Sequence, residues 1–345
     1  MILTYRYRVK NLNGKLNSYA RAVNTVWNYC NDVQKHAVKW GKKWPSGFDL
    51  TNLCAGSSKL LGIHSGTISE VTAQYAISRA AKRRPYLRYR GSKSLGWVPL
   101  KGRDMQRAEN GFRFLSNDFR VFYSRPLPDG KIKDGTNFSQ DAKGNWYLNI
   151  VIEVAEKQTR PLNKSVGIDL GLREFASLST GEEISAPRHY RNLERRLGIA
   201  QRARKKHQVT NIHAKIKNRR RDDMHKLSAR LTKEFDYIVV GNVSPGNLKK
   251  TKMAKSVSDA GWYTFKQMLA YKSVKNGAIY EEVNEAWSTQ TCSQCGAISG
   301  PKGQQGLNKR TWICSDCGHS HDRDVNAAIN ILRSGCRAPV LGIAA

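Results

Sequence analysis

The chain has 345 residues, enough for two or three domains, and its 39% hydrophobic content excludes a disordered basic tail. Its 59 Lys and Arg against 27 Asp and Glu give a formal net charge of +32, a self-repulsion best explained by a polyanionic partner. A membrane-surface role is the other reading of a basic chain, but no apolar run of about 18 residues and no signal peptide is recognisable.

Residues 1–10 alternate, with Leu3, Tyr5, Tyr7 and Val9 opposed to Ile2, Thr4, Arg6 and Arg8, as in a half-buried strand. From Leu12 to about Arg84 the pattern is helical, first through Leu16, Tyr19, Ala20, Val23 and Trp27, then through Val71, Tyr75, Ala76 and Ala80. Pro45-Ser46-Gly47 breaks it in the middle. Strand signals follow at Phe112–Phe114, Phe119–Tyr123 and Trp146–Val154, with turns at Pro128-Asp129-Gly130 and Lys143-Gly144-Asn145. These predict a small antiparallel β-barrel from residues 1–10 and 86–160, interrupted by a helical insertion over 11–85.

Past a linker at Arg160-Pro161, Val166–Gly171 reads as a short buried strand and Phe175–Gly181 as its hairpin return. Residues 187–235 are helical and basic, with 14 Lys and Arg but only three acids between Arg188 and Lys226. Strands are expected at Tyr237–Val240 and Ala278–Val283, and a last helix at Asp324–Leu332. The second half is therefore α/β.

Two Cys-x2-Cys knuckles, Cys292/Cys295 and Cys314/Cys317, stand 18 residues apart, each followed by a glycine that lets the backbone turn. Four thiolates fill a tetrahedral zinc sphere, so this metal is structural. The other reading is a pair of redox dithiols. Cys30, Cys54 and Cys336 read as ordinary thiols, and the whole set fits a reducing compartment. Chemistry must come from elsewhere. Asp169 sits inside a strand where an isolated carboxylate is costly, and Asp324 opens the last helix. Alone, either has a bland role as turn former or N-cap, and Asp322 is a weaker claimant to the cap. Together they suit a site holding two Mg²⁺ ions for phosphodiester hydrolysis. Among the cations, Arg83, Arg84, Arg88 and Arg90 are interleaved with tyrosines, which suits phosphate contact and base stacking. Arg202, Arg204, Lys205, Lys206, Arg219, Arg220 and Arg221 carry the basic helical stretch, which needs a phosphate partner.

The order of parts is recognisable. GIDLG at 167–171, NRRRDDMHK at 218–226, STQTCSQCG at 288–296 and HDRDVNAA at 321–328 together resemble the TnpB family, transposon-encoded RNA-guided DNA endonucleases related to type V CRISPR effectors. The resemblance is strong over residues 164–334 and extends to the N-terminal half as architecture. It implies a RuvC-like nuclease on an RNase H fold (residues 161–290 and 320–335), an inserted zinc ribbon (291–319) and a short tail (336–345). It also implies a wedge barrel carrying a helical recognition insertion. The implied partners are a guide (omega) RNA and target double-stranded DNA. The implied setting is a monomer with its RNA, cytoplasmic and nucleoid-associated in a bacterium or archaeon.

One departure matters. The family's strand at 237–240 usually ends in a catalytic Glu followed by Asp, but Gly241 and Asn242 stand here. The resemblance then points to a branch with a relocated glutamate. Glu281, Glu282 and Glu285 lie at or past the end of the next strand, and Glu285, where the family commonly has proline, is the expected replacement completing Asp169 and Asp324. The alternatives are a nuclease-inactive RNA-guided DNA-binding repressor and an RNA-binding accessory of a transposon.

Overall fold

The structure, a computed structural model, describes residues 1–82, 84–155, 157–242, 261–302, 306 and 309–335. Arg83, Cys336 and the 336–345 tail lie outside these. The chain forms two compact units, Met1–Ala155 and Glu156–Ala345. No helix among the described residues is long and apolar enough to cross a membrane.

In the first unit the alternation of residues 1–10 becomes β1 (Ile2–Val9), which buries Leu3, Tyr5, Tyr7 and Val9. The helical insertion is α1 (Asn13–Lys39), α2 (Gly47–Leu53), α3 (Ser57–Leu61) and α4 (Ser65–Lys82). The break at Pro45–Gly47 places Ser46 as the cap of α2. Its Oγ accepts the Asp49 N–H, and the Asp49 carboxylate accepts the Ser46 N–H at 2.8 Å. Seven further strands follow: β2 (Trp97–Pro99), β3 (Met105–Ala108), β4 (Gly111–Phe114), β5 (Asn117–Phe122), β6 (Lys131–Ile132), β7 (Asn137–Gln140) and β8 (Trp146–Glu153). They pair with β1 in the order β2-β7-β8-β1-β5-β4-β3, with β6 also on β8.

The expected barrel does not close. Strands β2 and β3 end the order on opposite sides, and no ladder joins them among the described residues. Strand β2 is three residues long and packs against α1 and α4, so helices cover that end of the sheet in place of a closing strand.

The second unit begins earlier than the Arg160-Pro161 linker. Arg160 is already tied into it, donating to the carbonyls of Thr232, Lys233 and Phe235 at 3.1, 3.0 and 2.7 Å. Its sheet uses β9 (Ser165–Leu170), β10 (Glu174–Leu178), β11 (Glu183–Ser185), β12 (Tyr237–Gly241) and β13 (Ile279–Val283) in the order β11-β10-β9-β12-β13. Strands β9, β12 and β13 are parallel, and β10 and β11 form an antiparallel edge. The basic stretch is a helix pair, α5 (His189–Arg202) and α6 (Lys206–Glu234), followed by α7 (Trp262–Asn276). A hairpin, β14 (Thr311–Ile313) with β15 (Ser320–Asp322), runs straight into α8 (Arg323–Arg333).

Each face of the sheet follows from period-2 alternation. Val166, Ile168, Leu170, Ile238 and Val240 enter one core with residues of α6 and α7. Tyr237, Val239 and Val283 face the other way and pack with Ile331 and Leu332 of α8. Gly167 shares this second face, where the backbone of α8 comes very close. A methyl group at 167 would run into the Ala328 carbonyl oxygen and crowd Leu332 Cβ at 2.8 Å. Gly167→Ala is expected to destabilise the protein by about 3 kcal/mol, because the obstruction is backbone and cannot swing aside. Urea denaturation measures this; a shift under about 0.5 kcal/mol would show that α8 does not bear on β9 as described.

Candidate active site and metal centre

Asp169 is the penultimate residue of β9 and, by alternation, lies on the α8 side with Gly167. Helix α8 brings Asp324 to the same end. The cap of α8 is Asp322, whose Oδ1 accepts the Asp324 and Val325 N–H groups at 2.9 Å each. Asp324 is therefore not needed as the cap. Its carboxylate lies between two guanidiniums, Arg323 Nη2 at 2.9 Å and Arg310 Nη1 at 3.1 Å.

Glu285 enters from the end of β13. In the parallel register Val240 lies beside Ile168 and Gly241 beside Val283, so one step further Gly241 adjoins Asp169. A Cβ at Gly241 would stand 2.5 Å from Glu285 Oε2 and 3.1 Å from Glu285 Cβ. The Glu285 side chain thus fills the space that a side chain at 241 would take. The neighbouring acids are used otherwise. Glu282 points to the opposite face, paired with Lys266 Nζ of α7 at 2.5 Å, and Glu281 accepts the Tyr237 hydroxyl at 2.5 Å.

The Asp169 carboxyl is pushed up to about 7, first by burial, then by the charges of Asp324 and Glu285, with Arg323 opposing. A carboxyl held protonated up to near neutrality by burial and by two neighbouring carboxylates is part of a donor set that divalent cations satisfy. Asp169 and Asp324 line a cleft of about 560 Å³ with Arg173, Glu174, Ser177, Arg310 and Arg323. Sequence reasoning assigned no role to Arg310, or to Arg323 within the 321–328 motif, since single arginines are not distinctive in so basic a chain.

The four cysteine sulfurs lie within 4.8 Å of one another. Cys292–Cys317 and Cys295–Cys314 are 3.7 and 3.6 Å apart. A tetrahedron of sulfurs at the usual zinc–thiolate distance has edges of about 3.8 Å, so the cluster fits a metal ion. Gly296 and Gly318 turn the backbone at φ 80° and 70°, as the knuckles require. His321 Nε2 is 3.0 Å from Cys292 Sγ, placed for an imidazole N–H to donate to a thiolate. Cys30 and Cys54 are buried free thiols.

Of the predicted nucleic-acid residues, Arg202, Arg204, Lys205 and Lys206 cluster exposed at the α5–α6 junction. Arg219 and Arg221 are exposed on α6, and Arg220 is half-buried. The acids of this stretch are paired: Asp222 with Lys226 at 2.7 Å, Asp223 with His189 at 2.5 Å and Glu194 with Arg191 at 2.9 Å. In the first unit Arg84 and Arg88 are exposed, but Arg90 turns inward. Its Nε donates to Asn24 Oδ1 at 2.7 Å, its Nη2 to the Leu95 carbonyl at 2.9 Å, and burial lowers its pKa. Arg90 holds its own segment in place.

Two outcomes are expected. Cys292→Ser or Cys314→Ser lowers folded yield and bound metal together, read by elemental analysis of the purified protein, because ion binding and local folding are one equilibrium. Wild-type protein free of metal and equally stable would refute this. The second concerns pH. Folded Asp169 holds a proton up to about 7 that the unfolded chain releases near 3.8. Without divalent cations its carboxyl therefore imposes no penalty below about pH 4, and stability falls as pH rises through about 7. Between about pH 5 and pH 8 the Tm of the metal-free wild type should drop more than that of Asp169→Asn, and Mg²⁺ should restore it at the higher pH. Equal slopes would refute the shared site.

Two family models match, one described as "Probable transposase" over residues 149–252 and one as "Cas12f1-like, TNB domain" over residues 262–331. A protein of Streptomyces pristinaespiralis named "Putative RNA-guided DNA endonuclease" is 35% identical over 279 residues, covering 76% of this chain and 68% of that one. "Putative RNA-guided DNA endonuclease InsQ" of Escherichia coli K12 is 28% identical, covering 56% of this chain and 54% of its own. TnpB-like protein L770 of Acanthamoeba polyphaga mimivirus is 26% identical, covering 70% and 51%. The chain thus spans about half the length of the last two. A solved Cas12f1–sgRNA–target DNA complex overlaps 98% of this chain and 100% of its own, but at 12% identity and a TM-score of 0.41 the overlap carries no weight here. By its likeness to the Streptomyces protein across two thirds of that protein's length, the chain belongs to the TnpB family of RNA-guided DNA endonucleases.

Proposed function

We propose that this chain cuts target DNA under the direction of a guide RNA, at a RuvC-like site where Asp169, Asp324 and Glu285 hold two Mg²⁺ ions. The observation that supports it most is the Glu285 carboxylate standing over Gly241, beside Asp169 on the α8 face of the sheet. Three acids brought together from two strand ends and a helix start make sense as ligands, since gathering like charges is otherwise unfavourable. The bound ions would supply the charge that polarises the scissile phosphate and eases ionisation of the attacking water.

The chain's own residues do the rest. Asp169, protonated up to about 7 in the metal-free fold, must lose that proton to hold an ion, so Mg²⁺ affinity rises with pH up to about 7. Arg310 and Arg323, paired with Asp324, are placed to meet the phosphate of a strand lying over the same carboxylates. Zinc is the ion for the tetrathiolate cluster; its filled sphere makes it structural, holding the hairpin that carries Arg310. The exposed cations at the α5–α6 junction suit the phosphates of the RNA–DNA duplex, with base pairing supplying sequence choice. The second reading, a nuclease-inactive RNA-guided DNA-binding protein, rests on the absence of an acid at positions 241 and 242.

Mg²⁺-dependent cleavage of matched DNA by the purified RNA complex separates the two. Asp169→Ala, Asp324→Ala and Glu285→Gln should each reduce cleavage to background while guided binding persists. Glu282→Gln should cut nearly normally, because its carboxylate lies on the other face with Lys266. Gly241→Ala should slow cleavage about ten- to a hundredfold by displacing Glu285. Undiminished cutting by Glu285→Gln would show that another acid serves. A wild type that binds its target but never cuts in Mg²⁺ or Mn²⁺ would establish the inactive reading.

A further inference from the structure

The extended segment 84–90 is held against α1 by side chains and not by a neighbouring strand. Asn24, Asn28 and Asn31 share one face of α1. Asn31 Nδ2 donates to the Leu87 carbonyl and its Oδ1 accepts the Leu87 N–H, both at 2.8 Å. Asn28 does the same for Arg90, at 2.9 and 2.8 Å. Trp27 Nε1 donates to the Arg88 carbonyl at 3.2 Å. Each carboxamide thus offers the donor and acceptor that a neighbouring strand would. Asn31 is fully buried, also accepts the Tyr75 hydroxyl at 2.8 Å, and sits against buried Leu87. This is a built support, costly to leave unpaired.

What the support turns outward is chemically uniform. Tyr86 and Tyr89 are 48% and 41% exposed. Arg84, Arg88 and Lys35 are exposed around them. Lys35 Nζ lies 5.1 Å from the Tyr86 ring centroid and 4.5 Å from that of Tyr89, so one cation stands by both rings. The Tyr89 hydroxyl is bonded to Asp32, which fixes that ring. Ordered aromatic rings among cations fit unpaired nucleotides, whose bases stack on the rings while their phosphates meet the cations. Duplex DNA offers no free base faces. A guide RNA stays with its protein and has unpaired stretches, which matches a platform formed in advance.

Resting on the RNA-guided reading above, we propose that residues 84–89, clamped by the α1 asparagines, form a stacking platform for two unpaired nucleotides of the guide RNA. Tyr86 and Tyr89 take the bases, and Lys35, Arg84 and Arg88 take the phosphates. The test uses the full chain with a 4-thiouridine-substituted copy of the RNA that co-purifies with it. Ultraviolet irradiation should join that RNA to a peptide carrying Tyr86 or Tyr89. Tyr86→Ala with Tyr89→Ala should weaken RNA binding about tenfold per ring at unchanged Tm, and the Phe pair should retain binding. Asn28→Leu with Asn31→Leu should lose the crosslink too. An unchanged Kd for the Ala pair, or crosslinks only elsewhere, overturns the platform. Crosslinks formed here only by 4-thiothymidine-labelled target DNA also overturn it, in favour of a DNA strand. If the chain binds no RNA at all, the RNA-guided reading falls as well, and that result differs from the loss of the platform alone.

Discussion

Helix α8 lies on β9 with no side chain between their backbones at Gly167, and the acidic site depends on that contact. Even a methyl group there would run into the Ala328 carbonyl oxygen and press α8, with Asp324 at its start, away from β9. Because alternation puts Gly167 and Asp169 on one face, the position that permits the approach and the position that uses it are two residues apart. The same face continues through Val239 to Gly241, whose missing side chain admits Glu285. The site is built from two absences of side chain as much as from three carboxylates.

The cysteine hairpin is mechanically part of this arrangement. Strand β15 enters α8 without a loop, and Asp322 both pairs with Thr311 and caps the helix. The Arg323 N–H is held by the Arg310 carbonyl at 2.7 Å, so the two arginines that flank Asp324 are joined through the backbone. The cysteine cluster lies at the far end of this hairpin, so an ion held there would brace the strands that lead to Arg310 and Asp322.

Charge sets the character of the surface. The few acids along α5 and α6 are paired locally, which leaves the cations at the helix junction turned to solvent. Within the first unit the cations separate by role: Arg90 is drawn into the amide clamp on α1, while Arg84 and Arg88 stay outside. A run of like residues in sequence thus divides into an internal support and an exposed set.

Much was legible in the sequence. Alternation in residues 1–10, the knuckle spacing, the break at Pro45–Gly47 and the strand ending in Asp169 are local patterns, and each determines its own geometry within a few residues. Tertiary structure decided what local pattern could not reach. Whether the first sheet closes depends on where α1 and α4 pack, not on any strand's own composition. Asp322 rather than Asp324 caps α8 because β15 delivers it there. Arg310 meets Asp324 through a hairpin whose pairing is long-range, and the inward turn of Arg90 follows from three asparagines some sixty residues earlier. Glu282 turns to the opposite face with Lys266, Glu281 meets the Tyr237 hydroxyl at the other end of β12, and Glu285 reaches Gly241, which the parallel register sets beside Asp169. Sequence named the acids; only the pairing of distant strands decides which carboxylates share a face.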